Sequence, residues 1–263
     1  MSRLYPLFSG SKGNCYYIGS GGTGILIDMG RSAKQIENAL KDNDIDIRGI
    51  QGIFITHEHT DHVSGLRVFA SRYGVNVYGS AGTLESLDNS GILTQKFNSY
   101  VIGDGGVETS NMKVQAFRTS HDCSESVGYA VTLGDGRRVA IATDTGVLSD
   151  DMVSAISGSD VVVLESNHDV NMLLNGMYPY VLKRRILSDK GHLSNETCSQ
   201  ILPRLVASGS TRFVLAHLSD ENNMPRIAKQ SAICALQENN MKQDLDYTLM
   251  VAKPVTDGSS IVF

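Results

Sequence analysis

Hydrophobic and polar positions fall into a repeating unit: a short aliphatic run that stops abruptly at an acid or a histidine. Ile25-Leu26-Ile27 ends at Asp28, Gly52-Ile53-Phe54-Ile55 runs into Thr56 and His57, and Val139-Ala140-Ile141-Ala142-Thr143 ends at Asp144. Val114-Gln115-Ala116-Phe117 precedes His121, Val161-Val162-Val163-Leu164 precedes His168, and Phe213-Val214-Leu215-Ala216 leads directly into His217. Apolar runs of this length, bounded by polar residues, predict buried strands. Ligand-type side chains gathered at several strand ends predict a site along the lip of a sheet, where polar groups need not be buried unpaired.

Between these runs the spacing turns helical. Residues 32–43 carry Ile36, Ala39 and Leu40 on one face with Ser32 as N-cap, and residues 63–73 offer Leu66, Val68, Phe69 and Ala70 for packing. Residues 152–156, 195–207 (capped by Ser194 or Asn195) and 224–237 read as further helices. Gly103-Asp104-Gly105-Gly106 and Gly134-Asp135-Gly136 read as hairpin turns, because glycine supplies positive φ at little steric cost. Periodicity by itself predicts an α/β protein and no more.

Composition narrows the setting. With 263 residues and 41% of them hydrophobic, the chain can bury a substantial core, and no Pro/Gly/Ser tract or charge block divides it, so residues 1–263 read as a single domain. Met1-Ser2-Arg3-Leu4-Tyr5-Pro6 lacks a signal-peptide apolar stretch and no run approaches membrane-spanning length, which predicts a cytoplasmic protein with no membrane contact. Cys15, Cys123, Cys198 and Cys234 are far apart with no CxxC and read as reduced thiols; Cys123, two residues past His121, reads as buried or incidental rather than a ligand. A net charge of −5 argues against broad non-specific coating of DNA.

The chemistry concentrates in Thr56-His57-Glu58-His59-Thr60-Asp61-His62, where three imidazoles and two carboxylates share seven residues. Imidazole and carboxylate donors together suit zinc, manganese or iron. Glu58 lies between the other donors and reads as a solvated side chain.

HxHxDH at 57–62, the lone His121, Asp144 after a strand and His217 after a strand resemble the metallo-β-lactamase superfamily of dinuclear hydrolases, from Asp28 to His217. Phe8-Ser9-Gly10-Ser11-Lys12-Gly13-Asn14-Cys15, Glu165-Ser166-Asn167-His168-Asp169, Leu182-Lys183-Arg184-Arg185-Ile186, Gly191-His192-Leu193-Ser194-Asn195-Glu196 and the segment His217 to Asn223 are similar to the bacterial WalJ (YycJ) group within it. The resemblance implies an αββα four-layer sandwich and a DNA exonuclease of 5′-to-3′ polarity, with two divalent ions, Zn²⁺ or Mn²⁺ with Fe as an option.

It also implies roles. His57, His59 and His121 would hold one ion, Asp61, His62 and His217 the other, and Asp144 would bridge them, leaving a hydroxide between the ions as nucleophile. Asp28 would fix the tautomer of a ligand histidine, or is a strand-end turn residue. His192, in the position of an assisting histidine of related RNA-processing nucleases, would complete the catalytic set with Asp61 and Asp144. His168 is left open: it contacts phosphate, orients a ligand or replaces His217 as the last ligand.

Substrate is carried by less. Lys183-Arg184-Arg185 is the only basic run of three, and Lys12 and Asn14 sit in a glycine-rich loop whose N–H groups could bind a second phosphate. The ordinary alternatives are a solvated face and a turn. DNA is favoured over RNA as partner. A small-molecule hydrolase acting on a thioester, lactone or β-lactam would use the same metals without those cations. A tRNA-processing nuclease would carry a Gly/Pro-rich exosite arm, and a β-CASP relative a large insertion between Asp144 and His217; neither is visible. A non-catalytic binding protein of the same fold would have lost ligands that this chain keeps.

Overall fold

The computed structural model describes residues 1–263 as two seven-stranded sheets packed face to face, with helices on both outer surfaces. The first sheet has the order β14-β1-β2-β3-β4-β5-β6, from Ser2–Phe8 (β1), Cys15–Ser20 (β2), Thr23–Ile27 (β3), Ile50–Phe54 (β4), Val77–Gly79 (β5), Ser99–Val101 (β6) and the C-terminal Ile261–Val262 (β14). The second has the order β13-β12-β11-β10-β9-β8-β7, from Val107–Glu108 (β7), Met112–Arg118 (β8), Val127–Leu133 (β9), Arg138–Ala142 (β10), Val161–Glu165 (β11), Arg212–Ala216 (β12) and Thr248–Val251 (β13). Strands β3 to β6 run parallel, as do β10 to β13.

The continuous apolar runs follow from burial on both faces. In β3, Ile25 and Ile27 join the cluster between the sheets with Phe54, Val139, Ile141, Val161, Val163 and Val214. Leu26 points the other way, against Ile36 and Leu40 of α1 (Ala33–Asp42) and Leu66 and Phe69 of a later helix. On the far side Val162, Leu164, Phe213 and Leu215 meet Ile156 of α5 (Asp150–Ile156), Leu202 and Leu205 of α8 (Asn195–Ala207) and Ala228, Ala232 and Leu236 of α9 (Pro225–Glu238). This is the expected αββα sandwich.

The cap expectations at Ser32 and Ser194 match: Ser32 closes a capping box with Gln35, and Ser194 accepts from the Thr197 amide. Three expectations need correction. The helix over 63–73 is two helices, α2 (Thr60–Val63) and α3 (Leu66–Tyr73). Gly65 lies at the break because its amide donates to Met29 O at 2.9 Å and a Cβ there would sit 2.2 Å from Arg31 O. The turn at Gly103–Gly106 is closed by a Gly106 N to Gly103 O bond of 2.9 Å, but it joins β6 of one sheet to β7 of the other and is no hairpin; only the Gly134–Gly136 turn, between β9 and β10, is one. Finally, α4 (Ala81–Asn89), α6 (Val170–Asn175) and α7 (Tyr180–Ile186) were not expected; α7 carries the basic run.

Candidate metal centre

The carboxyl ends of the parallel strands of both sheets converge on one edge. Asp28 follows β3, Thr56 and His57 follow β4, Asp144 follows β10, Glu165 ends β11 and His217 follows β12. Asp28, Asp144 and His217 have φ of 62°, 57° and 55°, the left-handed region that costs a non-glycine residue roughly 1–2 kcal/mol. Strain of this kind, repeated at three strand ends of one site, marks the positions the surrounding structure over-determines.

Four buried histidines are each tied down through Nδ1, leaving Nε2 for the centre. Nδ1 of His62 is 2.8 Å from Asp28 Oδ2, that of His57 3.0 Å from Thr56 Oγ1, that of His121 3.2 Å from Gly191 O, and that of His217 2.8 Å from Glu165 Oε1. A ligand histidine oriented through its far nitrogen is the usual construction of a metal site. The donor atoms form overlapping sets within 4.8 Å of one another: His57, His59 and His121; Asp61, His62 and His217; His57, His62 and Asp144; and Asp144, Glu165, His192 and His217. Asp144 is central, with Oδ2 3.3 Å from His62 Nε2 and Oδ1 3.5 Å from His217 Nε2 and 3.9 Å from His121 Nε2.

These residues fit divalent ions. The inward atoms His57 Nε2, His217 Nε2 and Asp144 Oδ2 are buried with no hydrogen-bond partner, a costly arrangement unless a cation is shared among them. Charge says the same. Burial disfavours a charged His62, but Asp144 and Asp28 overcome it and hold its pKa well above the ordinary value. Burial likewise opposes a charged His217, and Asp144, Asp61 and Glu165 raise it to about 10. His57 and His121, in the poorer field, are pushed down by burial. The carboxylates thus draw positive charge to the half of the centre that holds Asp61, His62 and His217.

Asp28 also accepts from the Thr56 amide at 2.8 Å, so it braces the start of the HxHxDH loop as well as the His62 ring. His217, not His168, belongs to the donor sets: His168 is buried, neither ring nitrogen has a partner, and burial holds its pKa down at about 4. Cys123 is in none of the sets. Glu58 is not a free side chain, since its carboxylate accepts from the Ser124 amide at 2.7 Å.

The expected phosphate contacts come apart. In the glycine-rich loop the Gly10 amide donates to Asn14 Oδ1, the Gly13 amide to Gly10 O and the Asn14 amide to Asp61 O. Asn14 is therefore a buried brace with Nδ2 3.1 Å from His62 Nε2, and the exposed Lys12 pairs with Asp220 at 2.8 Å. Lys183 donates to Leu174 O and Gly176 O at the end of α6, at 2.7 and 2.8 Å. Arg185 pairs with Asp122, whose Oδ1 is 3.4 Å from His121 Nε2. Of the three, Arg184 alone forms neither a side-chain hydrogen bond nor an ion pair.

Glu165 is the functional residue that sequence reasoning passed over. Fully buried, it places Oε1 2.8 Å from Nδ1 of both His192 and His217 and accepts from the Thr145 and Leu193 amides through Oε2. Burial alone would raise its pKa; His192 and His217 reverse this and hold it far below the carboxylate range. The signal was present, because Glu165 ends an apolar run as Asp28 and Asp144 do.

The profile described as "Beta-lactamase superfamily domain" matches residues 23–218. The chain belongs to the metallo-β-lactamase superfamily and is a metal-dependent hydrolase. It is 39% identical over 235 residues, 88% of each chain, to exodeoxyribonuclease YycJ of Bacillus anthracis. To exodeoxyribonuclease WalJ of Streptococcus pneumoniae it is 33% identical over 253 residues, 95% of this chain and 94% of the relative. Among solved structures, the metallo-β-lactamase fold protein YhfI of Bacillus subtilis superposes with a TM-score of 0.73 at 13% identity, covering 97% of this chain and 98% of the other. The short form of human tRNase Z gives 0.64 at 18%, covering 99% and 98%. Identities this low speak for the fold alone.

Proposed function

We propose that the chain is a dinuclear DNA exonuclease acting from the 5′ end. The DNA substrate is supported by the near full-length similarity to two relatives named exodeoxyribonucleases. The dinuclear reading rests on the central place of Asp144 between two three-residue donor sets. His57, His59 and His121 would hold one ion, Asp61, His62 and His217 the other, with Asp144 shared. Such a pair, Zn²⁺ or Mn²⁺ by donor type, supplies an activated water at neutral pH and neutralises phosphoryl charge.

The chain's own groups do the rest. Asp28 and Glu165 fix the rings of His62 and His217, so that Nε2 and not Nδ1 faces the centre. His192 is held through Nδ1 by the same Glu165 oxygen, and its side chain is partly exposed at the mouth. It can therefore present Nε2 to the departing 3′ oxygen and deliver a proton there. The ring orientation is preset by the buried carboxylate, so little reorganisation is needed when charge develops. No helix is long and apolar enough to cross a membrane. Four unpaired cysteines fit a reducing, cytoplasmic setting for the proposed activity.

The test is metal-reconstituted protein on single- and double-stranded DNA and RNA, labelled at the 5′ or the 3′ end, beside nitrocefin and a thioester. Release of labelled mononucleotide from the 5′ end of DNA is expected. Hydrolysis of nitrocefin or the thioester alone would make the chain a small-molecule hydrolase, and preference for RNA an RNA-processing enzyme. Elemental analysis giving one ion per chain at saturation would remove the dinuclear reading.

A further inference from the structure

Helix α7 is oriented against its composition. A surface helix ordinarily turns its apolar residues inward, yet of Tyr180 to Ile186 only Ile186 is buried. Tyr180 is 73% exposed and Val181 79%, and Met177, in the turn before them, is 94% exposed. Beside this patch stands Arg184, the cation left over once Lys183 caps α6 and Arg185 pairs with Asp122. Its guanidinium carbon lies 6.0 Å from the centroid of the Tyr180 ring. An exposed ring with an arginine laid against it is a surface for a planar, anionic partner.

The patch is fixed relative to the metal centre. Arg185 bonds to Asp122, and Asp122 lies 3.4 Å from His121 Nε2. Tyr180 precedes Arg185 by five residues, about 7–8 Å along a helix axis. On a protein of net charge −5, an arginine without an ion-pair partner, one residue from the Arg185 that is tied to Asp122, is a local exception to the surrounding field.

We infer that Tyr180 and Arg184 form a stacking platform for single-stranded DNA, holding the strand whose end lies in the metal centre. The inference rests on the nuclease reading and adds the site that grips the substrate. Stacking suits it because every base has a π-face, so a strand can be held whatever its sequence as it shortens. The guanidinium takes a phosphate of the same segment.

The experiment compares wild type, Tyr180→Ala, Tyr180→Phe and Arg184→Ala on a 5′-labelled dinucleotide and on a long single strand, with binding of the long strand followed by fluorescence anisotropy. For Tyr180→Ala on the long strand KM should rise about 5- to 100-fold with kcat unchanged, Tyr180→Phe should stay near wild type, and the dinucleotide should show no difference. Arg184→Ala should flatten the salt dependence of binding by a slope of about 0.7. Equal loss on dinucleotide and long strand would mean a structural role and overturn the platform. So would unchanged KM on the long strand, including the case in which Tyr180→Ala instead dissociates a dimer in sedimentation. Wild type that binds the strand through Tyr180 without cutting it would sink the nuclease reading and keep the platform; neither binding nor cutting sinks both.

Discussion

Gly30 leaves no room for a side chain: a Cβ there would lie 1.7 Å from the carbonyl oxygen of Asp61 and 2.4 Å from the amide of Asn14. Backbone cannot yield as a side-chain tip can, so Gly30→Ala should lower stability by at least about 1–3 kcal/mol and displace Asp61. Urea denaturation with metal analysis of the same samples checks both, and a variant of full stability and full metal content would refute the account. Glu165→Gln keeps the shape but loses the carboxylate that both His192 and His217 address. Metal affinity should fall roughly 10- to 100-fold, read by competition with a chromophoric chelator. Both residues show what the sequence concealed. The ligands were legible because a run such as Phe213 to Ala216 announces its terminus, but Glu165 was masked by His168 three residues on, and a steric need at Gly30 depends on Asp61, brought near only by folding.

Among the elements, the loop between α7 and α8 differs in kind from the strand ends. His217 follows β12 directly and faces Asp61 and Asp144, whereas His192 is carried by the loop and touches the strand ends through Glu165. His217→Ala should therefore come out depleted of metal. His192→Ala should keep its ions and lose about 10²–10⁴-fold in single-turnover rate; a metal-poor His192→Ala protein would show the roles to be reversed. Helices α1, α3, α5, α8 and α9 were readable from spacing, whereas α4 was missed although its Leu84 and Leu87 are buried. Helix α7 was not readable either, since its apolar residues face solvent, and Lys183, Arg184 and Arg185 read as one cationic run although successive helical residues point about 100° apart. The same limit applies to Gly103–Gly106, where the residues specify a turn and cannot say which sheet the next strand enters.

At the scale of the molecule, the sandwich was implied by resemblance rather than periodicity, because strands buried on both faces lose the alternation that would reveal their orientation. The donor atoms come from both sheets: His57, His59, Asp61 and His62 from the end of β4, His121, Asp144 and His217 from the other sheet. Bound ions therefore tie the sheets together, and at about 100-fold excess over Kd each adds about 2.7 kcal/mol. Chelation should lower Tm by roughly 5–10 °C for each ion removed, measured by calorimetry with and without EDTA; an unchanged Tm would place the ions outside the folded framework. The spread of those donors along the chain has a consequence in time. A polypeptide leaving the ribosome displays the histidines at 57–62 first, and many residues of synthesis separate them from His217. The emerging segment offers a loose handful of imidazoles to whatever ion is abundant. Only the finished chain, with β12 seated, encloses the ion from both sides, so selection among metals is made after translation and by the completed fold.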